Sequence, residues 1–248
     1  MSASEAVAVE VRALSKLFGE GGAEVAALRA IDLVVKEGEF LAVMGPSGSG
    51  KSTLLHLLGG LDTPSAGSIS IDGHDLGNMN DEEMSLLRRR HIGFVFQAYN
   101  LLHLLTAEEN VALPMVLDGR REAEVLPRVR DCLELVGVGH RKDHFASEMS
   151  GGEQQRVAIA RAMCSGPKLL LVDEPTGNLD SASGKQIISL LRQLVDEQHQ
   201  TIVMVTHNAD HASRADRIVL LADGVIVEEK ISVPRLASSL GSSERQSS

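Results

Sequence analysis

Residues Gly45-Pro46-Ser47-Gly48-Ser49-Gly50-Lys51-Ser52 fit the pattern G-x-x-x-x-G-K-[ST], and their flanks limit what the chain can become. A continuous apolar run at 40–44 leads in, and an apolar helical pattern at 51–58 leads out. A buried strand feeding a helix through a tight glycine turn belongs to an α/β fold with helices on both faces of a parallel sheet. The glycines let the backbone from Gly45 to Thr53 wrap closely, so that its N–H groups and the helix N-terminus point at phosphate oxygens. In such a cradle Lys51 neutralises the β and γ phosphates of ATP, and Ser52 places its hydroxyl on Mg²⁺.

The rest of the chain agrees with that start. Further apolar runs at 92–96, 169–172 and 202–205 predict buried strands, separated by helical patterns at 122–136, 152–163 and 183–197. Pro127 is expected either to kink the first of those helices or to lie in its first turn. The first third reads as β structure: Val7, Val9 and Val11 alternate with Ala8, Glu10 and Arg12, and Ile31, Leu33 and Val35 with Asp32, Val34 and Lys36. Ser68-Ile69-Ser70-Ile71 predicts a strand running into the Asp72-Gly73 turn, and Asp223-Gly224 predicts a hairpin between 217–221 and 225–229. The block from about 97 to 150 shows helical patterns without a strand, so a helical subdomain, at about 97–155, is expected inside one domain over 1–230. The Ser-rich stretch 231–248 reads as a mobile tail.

Composition removes several classes. At 248 residues with 43% hydrophobic and 23% charged residues, the chain has the make-up of a folded globular protein. A net charge of −10 argues against nucleic acid as a partner. The run Arg88-Arg89-Arg90 reads as the basic end of a helix begun at Asp81-Glu82-Glu83. The only cysteines, Cys132 and Cys164, read as buried reduced thiols. No stretch reaches the roughly 20 apolar residues that span a bilayer, and the N-terminal residues lack a signal pattern, so any membrane role is expected to come through a partner.

Two more motifs carry chemistry. Asp173 and Glu174 follow the 169–172 run, at the end of a strand where open α/β sheets bind ligands. Alternation separates their directions: Asp173 can hold Mg²⁺ through its water shell, and Glu174 can orient and deprotonate the water that attacks the γ-phosphate. Ser150-Gly151-Gly152 opens a long helical pattern and so offers a second phosphate-ready helix N-terminus.

Together the glycine loop, the carboxylate pair and the stretch Met149 to Arg156 resemble the nucleotide-binding subunit of ATP-binding cassette (ABC) transporters, over about 7–229. The resemblance implies a P-loop NTPase core of RecA-like type, with an N-terminal antiparallel β subdomain and an inserted α-helical subdomain. It implies that Gln97 senses metal and attacking water, that Gly177-Asn178-Leu179-Asp180 is the D-loop, that His207 contacts the γ-phosphate and that Phe18 stacks on adenine. Met149 and Glu153 stand where the family usually has Leu and Gln, and Phe18 where Tyr is commoner.

In the family two such domains pair head to tail, each ATP lying between the Gly45 loop of one copy and Ser150-Gly151-Gly152 of the other. The implied partners are therefore a second copy and a transmembrane permease, at the cytoplasmic face of the bacterial inner membrane. The segments 56–64, 94–97 and 176–180 resemble the branch of lipoprotein-releasing and macrolide-export ATPases. A cassette ATPase of a regulatory or cell-division complex is the alternative; a P-loop kinase would not need Ser150-Gly151-Gly152.

Two further features bear on function. His140/His144 and His207/His211 have the i,i+4 spacing of helical zinc ligands, but neither pair has the Glu of H-E-x-x-H, and they are read as non-metal. Residues 99–105 are unusually apolar, as either core of the helical subdomain or the docking surface for a cytoplasmic helix of the permease.

Overall fold

The computed structural model describes residues 6–19 and 24–232, so all but the first two residues of the expected tail lie outside the described residues. The strands are β1 (Val7–Phe18), β2 (Val25–Lys36), β3 (Phe40–Met44), β4 (Ala66–Ile71), β5 (His74–Asp75), β6 (Ile92–Val95), β7 (Leu169–Asp173), β8 (Thr201–Val205), β9 (Arg217–Ala222) and β10 (Val225–Ile231). Between them run α1 (Lys51–Leu58), α2 (Asp81–His91), α3 (Ala107–Leu117), α4 (Glu122–Leu135), α5 (Gly151–Cys164), α6 (Ser181–Gln198) and the short α7 (Ala209–Ala212).

Six strands form one sheet in the order β10-β9-β3-β8-β7-β6, in which β9, β3, β8, β7 and β6 are mutually parallel and β10 returns antiparallel from β9. Because successive side chains point to opposite faces, each buried strand feeds two cores. Phe40, Ala42, Leu170, Val172, Ile202 and Met204 join the apolar residues of α3, α4, α5 and α6 on one face. Leu41, Val43, Leu169, Leu171, Val203 and Val205 join α1 and the second, antiparallel sheet on the other. That second sheet has the order β2-β1-β4-β5.

The antiparallel sheet departs from the simple alternation. Val9 and Val11 are buried as expected, but Val7 is 46% exposed and its neighbour Ala8 is buried. The pairing of β1 with β2 shifts register between Val7 and Val9, and an extra residue in a ladder turns the side chains beyond it to the other face. Pro127 does not lie in the first turn of α4: it sits in the second turn, exposed, inside the helix.

Between β6 and α5 the described residues form α3, α4 and two short 3₁₀ turns, with one isolated bridge, Thr106 to Phe145. The loop before α3 is fixed by polar groups. The fully buried Asn110 accepts from Leu102 N at 2.8 Å and directs Nδ2 at Leu102 O, Leu105 O and Thr106 O, satisfying backbone that would otherwise be orphaned. The segment 99–105 divides: Leu101 is in the core, whereas Leu102 is 49% and Leu104 91% exposed.

Candidate active site

The glycine loop leaves β3 and enters α1 at Gly50, whose left-handed φ of 101° turns the chain into the helix. Three elements press on it. A Cβ on Gly50 would meet Ala27 O and come within 2.8 Å of Leu28 Cδ2, and one on Gly45 would meet Leu221 O and lie 2.7 Å from Ser49 Oγ. From the β9–β10 turn, Gly224 N donates to Ser49 O at 3.2 Å, while its carbonyl accepts from Arg29 N at 2.8 Å. The loop is thus wedged between β2 and that hairpin. Lys51, only 8% exposed, donates from Nζ to Gly45 O at 2.9 Å and Pro46 O at 2.8 Å, so two of its three N–H bonds span the loop it stabilises.

Asp173 ends β7 and Glu174 begins the turn beyond it. Burial holds the Asp173 carboxyl above its ordinary range, offset by His56, reinforced by the charge of Glu174 and offset again by Lys51. A carboxylate in that position favours an incoming cation. Glu174 takes a left-handed φ of 43°, a conformation costing on the order of 1 kcal/mol outside glycine. It is held there by its N–H donating to Val205 O at 3.0 Å and its carbonyl accepting from Gly177 N at 3.1 Å. Its Oε1 lies 2.9 Å from His207 Nδ1.

Gln97 follows β6 and faces the loop after β7. Asn178 Nδ2 donates to Gln97 O at 3.0 Å, and Gln97 Nε2 reaches Asn178 Oδ1 at 3.4 Å. Beyond Ala98, Tyr99 and Asn100 have φ of 59° and 51°, and Arg161 from α5 donates to both of their carbonyls. Asp180 caps α6, accepting from Ala182 N, Ser183 N and Ser183 Oγ.

Ser150 caps α5 in a capping box: its Oγ accepts from Glu153 N, and Glu153 Oε2 accepts from Ser150 N at 2.8 Å and Ser150 Oγ at 2.9 Å. Arg141 donates to the other carboxylate oxygen at 2.7 Å. The Ser150 backbone bond first, then Arg141 and the Ser150 hydroxyl against a desolvation cost, lower the Glu153 pKa from the ordinary 4.5 to about 2. A depressed carboxylate stabilises the fold above its unfolded pKa and loses that contribution as pH falls through the folded value. The stability gap between this chain and Glu153→Gln, followed by denaturant melts, should be constant above about pH 5 and close between 4.5 and about 2. A gap of unchanged size across that window would contradict the assignment.

These residues meet only in part. A cavity of about 370 Å³ is lined by Ser47, Gly48, Gly50, Lys51, Ser52 and Thr53 with Glu174 and His207. Ala27 and Val205 complete its lining, and nothing in the sequence marks them, since they contribute by position on β2 and β8. Gly45, Pro46 and Ser49 support the loop from outside the lining, and Ser49 Oγ is buried without a hydrogen-bond partner. Phe18, at the end of β1, is 46% exposed with Lys16 Nζ 4.9 Å from its ring centroid; like Gln97, Asp173, Asp180 and Ser150 to Gly152, it does not line the cavity. Of the paired histidines, His211 Nδ1 lies 3.1 Å from Thr176 Oγ1, His144 Nε2 lies 3.3 Å from Arg141 Nη1, and His140 Nε2 lies 3.8 Å from Glu153.

A glycine loop between a buried parallel strand and a helix, with Lys51 spanning it and a carboxylate and imidazole across the cavity, defines a P-loop nucleoside triphosphatase. The family model described as ABC transporter matches residues 28–177. The lipoprotein-releasing system ATP-binding protein LolD of Shewanella denitrificans is 43% identical over 89% of this chain and 94% of its own length. The macrolide export ATP-binding/permease protein MacB of Mannheimia succiniciproducens is 45% identical over 89% of this chain but 34% of its own. An ATP-binding cassette solved as a dimer in a post-hydrolysis state, bound to ADP and Pi, superposes with a TM-score of 0.83 at 41% identity, covering 91% of this chain and 99% of that one. The chain belongs to the ABC transporter family, in the branch that includes LolD and MacB, and is an ATPase.

Proposed function

We propose that the chain powers a transmembrane permease from the cytoplasmic face of the inner membrane by clamping two ATP molecules between two copies of itself. The observation that carries this reading is the helix end at Ser150. Helix N-termini of this kind attract anions, yet this one takes no part in its own chain's cavity. A second copy, arranged head to tail, would bring it to the γ-phosphate. The dimeric cassette with ADP and Pi supports that arrangement, as do relatives named for a lipoprotein-releasing system and for a combined ATP-binding/permease protein. No helix among the described residues is long and apolar enough to cross a membrane, so contact with the permease would run through a surface such as exposed Leu102 and Leu104. One domain over 1–230 with its helical part at about 97–155 suits that role, since α3 and the loop before it present this surface.

Within the site, the Gly45 to Thr53 backbone and Lys51 would hold the phosphates, and Phe18 would cover the adenine. Glu174 would take a proton from the attacking water, with His207 orienting its carboxylate or turning to the γ-phosphate. Ser52, Gln97 and Asp173 offer hard oxygen donors, and the raised Asp173 pKa fits a cation there, so Mg²⁺ is the ion these residues would hold. When bound it would neutralise charge on the phosphate oxygens. Asp180 would order the D-loop by capping α6. Isolation in mild detergent followed by protein identification tests the reading: a polytopic membrane protein should co-purify and stimulate phosphate release, whereas a chain that releases phosphate but binds only soluble partners would contradict it.

A further inference from the structure

Asp72, His74 and His91 bring one carboxylate and two imidazoles together at the edge of the antiparallel sheet. One donor atom from each lies within 4.8 Å of the others. His91 Nδ1 and Asp72 Oδ2 are already 3.2 Å apart, and the His74 and His91 rings meet edge to face with centroids 5.2 Å apart. An ion held tetrahedrally at about 2.0–2.1 Å sets its donors roughly 3.3 Å from one another. The first pair has that spacing, and rotation of the exposed His74 ring would bring the third donor in.

The backbone fixes these groups. Asp72 and Gly73 have φ of 50° and 77°, the signature of a two-residue hairpin turn, which sets Asp72 and His74 relative to each other. Asp72 N donates to Ala8 O at 2.9 Å, tying the turn to β1. On the other side His91 ends α2, and its carbonyl accepts from Lys168 N at 2.9 Å as the chain enters β6. The three donors therefore come from the β4–β5 hairpin and the end of α2, two hydrogen-bonded elements. Sequence spacing does not reveal the cluster, because His91 is 17 residues beyond His74 and on another element.

We propose that Asp72, His74 and His91 form a binding site for a divalent transition-metal ion of the Zn²⁺ class, separate from the nucleotide cavity. Two imidazoles and one carboxylate select Zn²⁺, Ni²⁺ or Cu²⁺ over the oxygen-seeking Mg²⁺ that accompanies ATP. Water completes the coordination on the exposed side of His74. None of the three residues lines the nucleotide cavity. The ion ties the β4–β5 turn to the junction of α2 and β6.

Calorimetric titration of the untagged, chelator-stripped full chain with Zn²⁺, without nucleotide, tests this, with elemental analysis after dialysis giving the stoichiometry. The expected result is one ion per chain and a higher thermal midpoint, with affinity lowered at least roughly tenfold in both His74→Ala and His91→Ala. ATP binding should be unchanged in His74→Ala. Because His74 is exposed, its variant folds and keeps the test readable if His91→Ala does not. The double variant His140→Ala/His144→Ala should bind as the parent chain does. Absence of stoichiometric binding, undiminished binding by His74→Ala, or loss that follows His140/His144 or His207 instead would each overturn the proposal.

Discussion

Glu174→Gln is expected to lower ATP turnover by about 10²- to 10⁴-fold while leaving ATP affinity within a few-fold of the parent chain. Glutamine has the shape of glutamate, so the turn held by Val205 and Gly177 and the left-handed backbone at this position persist. What disappears is the ability to accept a proton from water and the charge facing His207 across 2.9 Å. Substrate contacts through the Gly45 loop do not depend on that charge. Phosphate release at saturating Mg-ATP, measured beside binding of a fluorescent nucleotide, separates the two effects. Turnover at the parent rate would remove Glu174 from the role of base.

Gly50→Ala should abolish detectable ATP binding and destabilise the fold by about 1–3 kcal/mol. The left-handed φ of 101° disfavours any side chain there, and the added Cβ would press into the Ala27 carbonyl and approach Leu28 Cδ2 at 2.8 Å. Neither neighbour gives way easily. Ala27 belongs to β2 and its carbonyl is backbone, while Leu28 is fully buried. Relief requires the loop to lift, which moves the N–H groups that hold phosphate. Gly119→Ala is the matched control: φ is 76° there, but no atom lies within 4 Å of the added Cβ, so only the backbone cost of about 1 kcal/mol is expected. Nucleotide titration and denaturant melts of both variants check the ordering; equal losses would show that close packing around Gly50 is unimportant.

The strand at 40–44 and the helix at 51–58 were legible from sequence to the residue, because an apolar run and a left-handed glycine mark both ends of the turn between them. The turn of the β9–β10 hairpin was legible too, Asp223 and Gly224 carrying φ of 49° and 78°, although the strands run on to Ala222 and Ile231, beyond the expected 221 and 229. Legibility fails where the cause is not local. Val7 faces outward because a register shift between β1 and β2 intervenes. Ala27 and Val205 line the cavity by tertiary placement alone. Glu153 reads as a small departure from a familiar motif, yet the fold gives it Arg141 from beyond the helix and a carboxylate held well below its usual range. Asn110 looks like an ordinary helix residue; only the fold shows that it carries the backbone of the preceding loop.

The claim that two copies clamp ATP between the Lys51 loop and the Ser150 helix end has a direct test in sedimentation. The Glu174→Gln chain should be monomeric without nucleotide, form a dimer holding two ATP per pair in Mg-ATP, and stay monomeric with ATP bound once Ser150→Arg is added. An ATP-loaded Glu174→Gln chain that remains monomeric, or a dimer indifferent to Ser150→Arg, would contradict the account.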